Sequence, residues 1–219
     1  MNIVVFGATG STGRQVVDQA LLAGHEVTAV VRRPEQVAPR PRLVVRAGDV
    51  LHADSLHESC RGADAVVSCI GPRSKYGGQL GSNLRPGTVM SVGTANMVAA
   101  AEAAGVRRFV FQSGIGLSEG GELSRTDRWV LRALWHPLFG AALRDKAEGE
   151  RILRASGLEW VIVRPVGLSD APAAGHYLAG PRAPVALLVP ISLADCAACL
   201  LRAVGEPDWT RQIVNLGRS

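Results

Sequence analysis

Short, unbroken apolar runs alternate along the chain with stretches in which apolar residues recur at helical spacing. Ile3 to Phe6 is the first run, followed by Glu26 to Val31, Leu43 to Arg46 and Ala63 to Ile70. Arg107 to Gln112, Glu159 to Arg164 and Gln212 to Leu216 complete the set. Runs rich in Val and Ile, without polar alternation, read as strands buried on both faces. Between them, Val16, Val17, Ala20 and Leu21 mark an amphipathic helix. Asp54 to Cys60, Gly87 to Ala104, Leu143 to Ala155 and Ile191 to Val204 are expected as further helices. Strands alternating with helices predict an α/β protein, a doubly wound parallel sheet with helices on both faces. The irregular stretches 71–87, 114–142 and 166–190 each follow a strand, which puts them at the sheet's carboxyl edge, where such folds bind ligands. Residues 1–219 therefore read as a single domain, with 114–142 and 166–190 as substrate-side insertions.

The first strand runs straight into three glycines, Gly7, Gly10 and Gly13, ahead of the first helix. A strand, a glycine turn and a helix start are the parts of a dinucleotide-phosphate cradle. The turn needs residues that tolerate positive φ, the phosphate needs bare backbone N–H groups, and the helix start adds partial positive charge. The spacing is G-x-x-G-x-x-G, a variant of the Rossmann fingerprint. Thr9, Ser11 and Thr12 add hydroxyl groups inside the turn.

Composition narrows the setting. The 47% hydrophobic content is ordinary for a globular protein, and no apolar run reaches the ~20 residues that span a bilayer. The chain starts in its first strand, so no signal peptide is expected and the expected location is cytoplasmic. A net charge of +5 raises the question of nucleic acid, but the basic residues are scattered arginines with only Lys75 and Lys146 as lysines. No nucleic-acid or membrane partner is expected; the positive field suits an anionic cofactor. Cys60, Cys69, Cys196 and Cys199 form no disulfide framework. Cys196 and Cys199, three apart on a helix, read as core packing, and no metal site is expected.

Cofactor choice turns on the end of the second strand. An acid there suits NAD(H), whereas Arg suits the 2′-phosphate of NADP(H). This chain has Arg32 and Arg33, whose guanidinium groups bind phosphate with parallel hydrogen bonds, so NADP(H) is expected over NAD(H).

The segments Gly7–Gly13, Val31-Arg-Arg, Gly48-Asp-Val50, Asp64-Ala-Val-Val, Ala104-Gly-Val-Arg-Arg-Phe-Val110 and Ser156-Gly-Leu-Glu-Trp-Val-Ile-Val-Arg-Pro165 together resemble the atypical short-chain dehydrogenases/reductases. Within them the chain resembles the NAD(P)-binding, NmrA-like group that includes flavin-reducing biliverdin reductases. The resemblance implies a Rossmann-type fold and an oxidoreductase. It puts Asp49 and Val50 beside the adenine, and Ser68, Ile70 and Gly71 on the ribose and nicotinamide side. Pro165 and Val166 would flank the nicotinamide. Ser113 falls where these enzymes keep a catalytic serine, and Lys146 where their lysine touches the nicotinamide ribose. Lys146 with Glu150 is also the spacing of a surface pair on a helix.

One departure bears on the chemistry. The tyrosine that precedes this lysine by four residues in typical members, and gives its proton to a carbonyl, is Ala142 here. Tyr177, after His176 in a substrate-side loop, and Tyr76 are the only tyrosines that could replace it. Acceptors that need no strong acid are flavin-like, quinone-like or otherwise conjugated. The aromatic insert with Trp129 and Trp135 reads as a lid over such a substrate, or as core or homodimer packing. Arg73, with Trp129 and His176, completes the substrate-side set. Two rivals remain open: a pathway enzyme (ketone reductase, epimerase or dehydratase) and a non-catalytic, NmrA-like redox sensor.

Overall fold

A computed structural model describes residues 1–71, 87–118, 123–131, 133 and 136–218, with the backbone alone at 136–139. Five parallel strands open the fold: β1 (Asn2–Phe6), β2 (Glu26–Val31), β3 (Leu43–Ala47), β4 (Ala65–Ser68) and β5 (Arg108–Gln112). β6 (Glu159–Pro165), β8 (Leu178–Gly180) and β10 (Gln212–Gly217) complete an eight-stranded sheet ordered β3-β2-β1-β4-β5-β6-β10-β8. Among the described strands of this sheet only β8 runs antiparallel, pairing Leu216 with Ala179. A separate parallel pair joins β7 (Leu168–Ser169) to β9 (Ile191–Ser192).

The helices divide between two faces because alternate strand residues point to opposite sides. Val5, Val67, Val110 and Val161 face α1 (Ser11–Leu22) and α5 (Leu193–Gly205). Phe6, Val66, Phe109, Phe111 and Ile162 face α2 (Ser91–Ala103) and α4 (His136–Ala155). α2 and α4 approach closely at Gly149, where a Cβ would stand 2.8 Å from the Met90 carbonyl oxygen. The short α3 (Arg125–Val130) precedes α4.

Several boundaries differ from expectation. The helix expected at Asp54–Cys60 is a single 3-10 turn, Ala53–Leu56. There Ser55 Oγ bonds the Asp49 N–H and the His52 carbonyl, competing with helix formation. α2 begins at Ser91 rather than Gly87, where the Asp145 carboxylate of α4 accepts from the Met90 and Ser91 N–H groups. α4 begins at His136 rather than Leu143, with Pro137 in its first turn, where proline is tolerated. Ile191 and Ser192 lie in β9 instead of a helix; Ser192 Oγ caps α5 by accepting from Asp195 N–H at 2.9 Å.

The two long insertions are not simple loops. Ile115, Leu123 and Leu131 bury themselves in the core on the α1/α5 side, as do Val185 and Leu187 of the second. Among the described residues, no helix is long and apolar enough to cross a membrane.

Candidate functional site

The carboxyl edge of β1 is shaped by backbone. Gly7 takes φ +76 and its carbonyl accepts from Gly10 N–H at 2.9 Å. A Cβ on Gly7 would stand 2.8 Å from Cys69 O and 3.2 Å from the Ile70 side chain. A Cβ on Gly13 would stand 2.1 Å from Gly7 O, so α1 starts directly against the turn. Gly10 precedes α1 with no side-chain cap, which leaves the first-turn N–H groups to a ligand or solvent. Thr9, Gly10 and Ser11 are exposed there. Thr12 differs from expectation: it is buried, and its hydroxyl accepts from Gln112 Nε2 at 3.3 Å.

Arg32 and Arg33 follow β2 and are exposed, as is Arg14 in the first turn of α1. Among the described residues none of the three forms an ion pair. A cavity of about 250 Å³ opens beside the turn, lined by Thr9, Arg14, Val17, Gln36, Val37 and Arg40 among others. Beyond β3, the Asp49 carboxylate accepts from Leu51 N–H at 3.1 Å. Val50 is buried against α2: a Cβ on Gly93 would stand 3.0 Å from it, and Asn96 Nδ2 donates to its carbonyl. At the end of β4, Ser68 is fully buried, and among the described residues its Oγ has no hydrogen-bond partner. Gly71 is exposed. Arg73, Tyr76 and Trp135 lie outside the described residues.

A second cluster forms at the ends of β5 and β6. Ser113 follows β5, its N–H bonded to Val163 O at 2.8 Å. Strand alternation turns Ser113 and Arg164 toward the same face, under α4. Glu150 on α4 fills the space between them. Ser113 Oγ donates to Glu150 Oε1 at 2.5 Å; Arg164 Nε donates to the same oxygen at 3.0 Å and Nη2 to Oε2 at 2.6 Å. Ser113 is 6% exposed and Glu150 3%. One turn earlier, Lys146 brings its ammonium beside Gly114: a Cβ there would stand 3.2 Å from Nζ. Burial lowers the Lys146 pKa, with the Glu150 carboxylate pulling it back up. The Lys146–Glu150 spacing is thus no surface pair, because the carboxylate is buried and already engaged. Ala142 lies one further turn back, 8% exposed. Pro165 ends β6 at this edge, while Val166 turns its side chain into the core and gives its N–H to Leu216 O.

The sequence pattern alone does not mark Glu150 and Arg164 as site residues. The available signal is an acid four residues after Lys146 and an arginine two residues beyond a strand residue facing α4.

The structure does not bring Tyr177 or His176 to this cluster. Tyr177 packs with the α1/α5 core, and burial, then the Cys199 thiol, push its hydroxyl up to about 12. The His176 ring contacts its own Ala174 O at 2.9 Å and the Arg218 guanidinium at 3.0 Å. Trp129 on α3 is 65% exposed. Burial pushes the Cys69 and Cys199 thiols up to about 12, consistent with packing roles. Among the described residues, no group of three His, Cys, Asp or Glu could hold a metal ion.

Comparisons with known proteins bear on the family and the fold. In sequence the chain is 32% identical over 187 residues to an uncharacterized chloroplastic protein of Arabidopsis thaliana, covering 82% of this chain and 63% of that protein. It is 26% identical over 185 residues to the chloroplastic protein TIC 62 of Arabidopsis thaliana, covering 76% of this chain and 27% of that protein. It is 27% identical over 179 residues to an uncharacterized sugar epimerase, YhfK, of Bacillus subtilis, covering 80% and 76%. In fold it resembles ChuY, described as an anaerobillin reductase from Escherichia coli O157:H7, with TM-score 0.78 and 24% identity over 100% of this chain and 97% of that one. A short-chain dehydrogenase/reductase from Veillonella parvula in complex with NADP aligns with TM-score 0.77 and 18% identity, covering 99% and 94%. At such identities the two structures establish the fold alone. Residues 7–207 match the family described as NAD(P)H-binding, a span that includes the glycine turn and the Ser113–Lys146–Glu150–Arg164 cluster. The chain belongs to the NAD(P)H-binding family.

Proposed function

We propose that this protein is an NADPH-dependent oxidoreductase that reduces a flavin-like or other conjugated small molecule. The observation that carries the reading is the turn between β1 and α1. Gly7 and Gly13 leave no room for side chains; Arg14 follows Gly13, Arg32 and Arg33 follow the neighbouring β2, and all three are exposed and without an ion pair among the described residues. The uncapped α1 start would hold the pyrophosphate, and Arg14, Arg32 and Arg33 the 2′-phosphate. Asp49 would lie beside the adenine. Ser68 Oγ, without a partner among the described residues, supports a polar ligand group at the end of β4. Bound NADPH supplies the hydride; the chain orients it and its acceptor and excludes water.

At the reacting end, Ser113 and the Lys146 ammonium are the polar groups beside the cofactor's path. Ala142 supplies no proton where a tyrosine would, and Tyr177 is engaged against α5. A conjugated acceptor, whose reduced form takes its proton from solvent, fits that arrangement better than a simple ketone. The exposed Trp129 offers a ring against which a planar acceptor could stack.

The test is a steady-state assay with NADPH and a panel of FMN, FAD, menadione and simple ketones, followed at the nicotinamide absorbance band. Turnover of conjugated acceptors without ketone turnover is expected. Tight NADPH binding with every acceptor inert would instead favour a nucleotide-binding sensor.

A further inference from the structure

Glu150 is the most constrained ionisable group in the cluster. Arg164 pairs with both of its oxygens, and the pair is nearly closed to solvent, with side-chain exposures of 12% and 5%. A carboxylate held bidentately by a guanidinium is charged and can only accept hydrogen bonds. Its Oε1 therefore takes the single proton of the Ser113 hydroxyl, at 2.5 Å. Once that proton is committed, Ser113 Oγ has only lone pairs left to offer.

We infer that Glu150, fixed by Arg164, is a positioning residue that makes Ser113 a hydrogen-bond acceptor toward the reacting molecule, so that the site selects acceptors presenting an N–H there over those presenting only carbonyl oxygens. The inference rests on the NADPH-dependent reduction proposed above and narrows its substrate class to conjugated N–H heterocycles. For Ser113 to donate to a substrate carbonyl, its oxygen would have to face the Glu150 carboxylate with no proton between them. In a buried site that arrangement leaves two acceptors in contact and the carboxylate short of a donor. A quinone thus gains nothing from Ser113, whereas a ring N–H completes its hydrogen bonding. Glu150 itself touches neither cofactor nor substrate; it acts through Ser113.

Two readouts test this. Low-temperature proton NMR of the NADP+-bound protein should show a slowly exchanging hydroxyl proton downfield of the amide region, absent from Ser113→Ala and from Glu150→Gln. In the NADPH assay, Ser113→Ala should lower kcat/KM for FMN roughly tenfold, the size of one hydrogen bond, while menadione falls less than about twofold. Glu150→Gln should shift the same ratio in the same direction. If that variant does not fold, Ser113→Ala, which removes only a hydroxyl, carries the comparison. Loss of menadione turnover equal to that of FMN in Ser113→Ala would overturn the inference, as would a parent spectrum without the hydroxyl proton. If no acceptor is reduced, the reductase reading fails on its own, and the hydroxyl resonance still decides the direction of the Ser113–Glu150 bond.

Discussion

Gly13 lies so close to the carbonyl oxygen of Gly7 that a methyl group at position 13 would stand 2.1 Å from it. Neither partner is a flexible side chain, so the clash is relieved only by moving α1 away from β1. Gly13→Ala should therefore cost about 1–3 kcal/mol of stability and weaken NADPH binding at least tenfold. Gly205→Ala, where the added methyl meets open space, should leave both unchanged. Paired denaturant melts and NADPH titrations check this.

On the reading proposed above, Arg14, Arg32 and Arg33 carry the cofactor preference. Single Arg→Ala changes should each weaken NADPH binding by about three- to tenfold while moving NADH by less than about twofold. The NADPH effect should shrink as salt rises, because these groups are exposed and screened. Fluorescence titrations at two ionic strengths would read both features; equal losses for the two nucleotides would move the 2′-phosphate elsewhere.

The Glu150–Arg164 pair is buried, so breaking it is worse than losing it whole. Glu150→Ala leaves an uncompensated guanidinium and should destabilise by about 3–5 kcal/mol. The double variant Glu150→Leu/Arg164→Met should be destabilised by less than the sum of the single changes. A double-mutant cycle in denaturant gives the coupling directly.

Lys146 makes stability depend on pH. Its folded pKa lies below the ordinary 10.5, because burial disfavours the ammonium and Glu150 only partly offsets that. The unfolded chain therefore binds more protons between the folded pKa and 10.5, and this residue's contribution to stability rises with pH across that window. Below the window the full cost of burying the charge is present. Lys146→Met should melt above the parent at pH 7, and the gap should close as pH approaches 10.5. The same variant should bind NADPH more weakly.

Tyr177 packs with α5, away from Ser113, so Tyr177→Phe should leave acceptor turnover within about twofold, no catalytic hydrogen bond having been lost. A collapse of turnover in that variant would return the proton donor to Tyr177.

Much of the fold was legible because the buried strands are unbroken β-branched runs and the glycines stand where the backbone needs them. Gly7 and Gly13 could be read from spacing alone because their roles are local. What escaped were features set by tertiary contact. The start of α2 depends on Asp145 from another helix. β8 is a short edge strand whose partner lies more than thirty residues away, Asn215 against Gly180. Glu150 escaped for the same reason: four residues after Lys146 it reads as a surface charge until β5 and β6 bring Ser113 and Arg164 beneath it. In the sequence Thr12 reads as a cradle hydroxyl, but helical geometry turns it inward to Gln112.

The most direct measurement is a calorimetric titration of the purified protein with NADPH and with NADH. The account predicts one saturable site that binds NADPH at least tenfold more tightly, with the preference lost in Arg32→Ala/Arg33→Ala. Absence of binding by either nucleotide, or equal affinity for both, would contradict it.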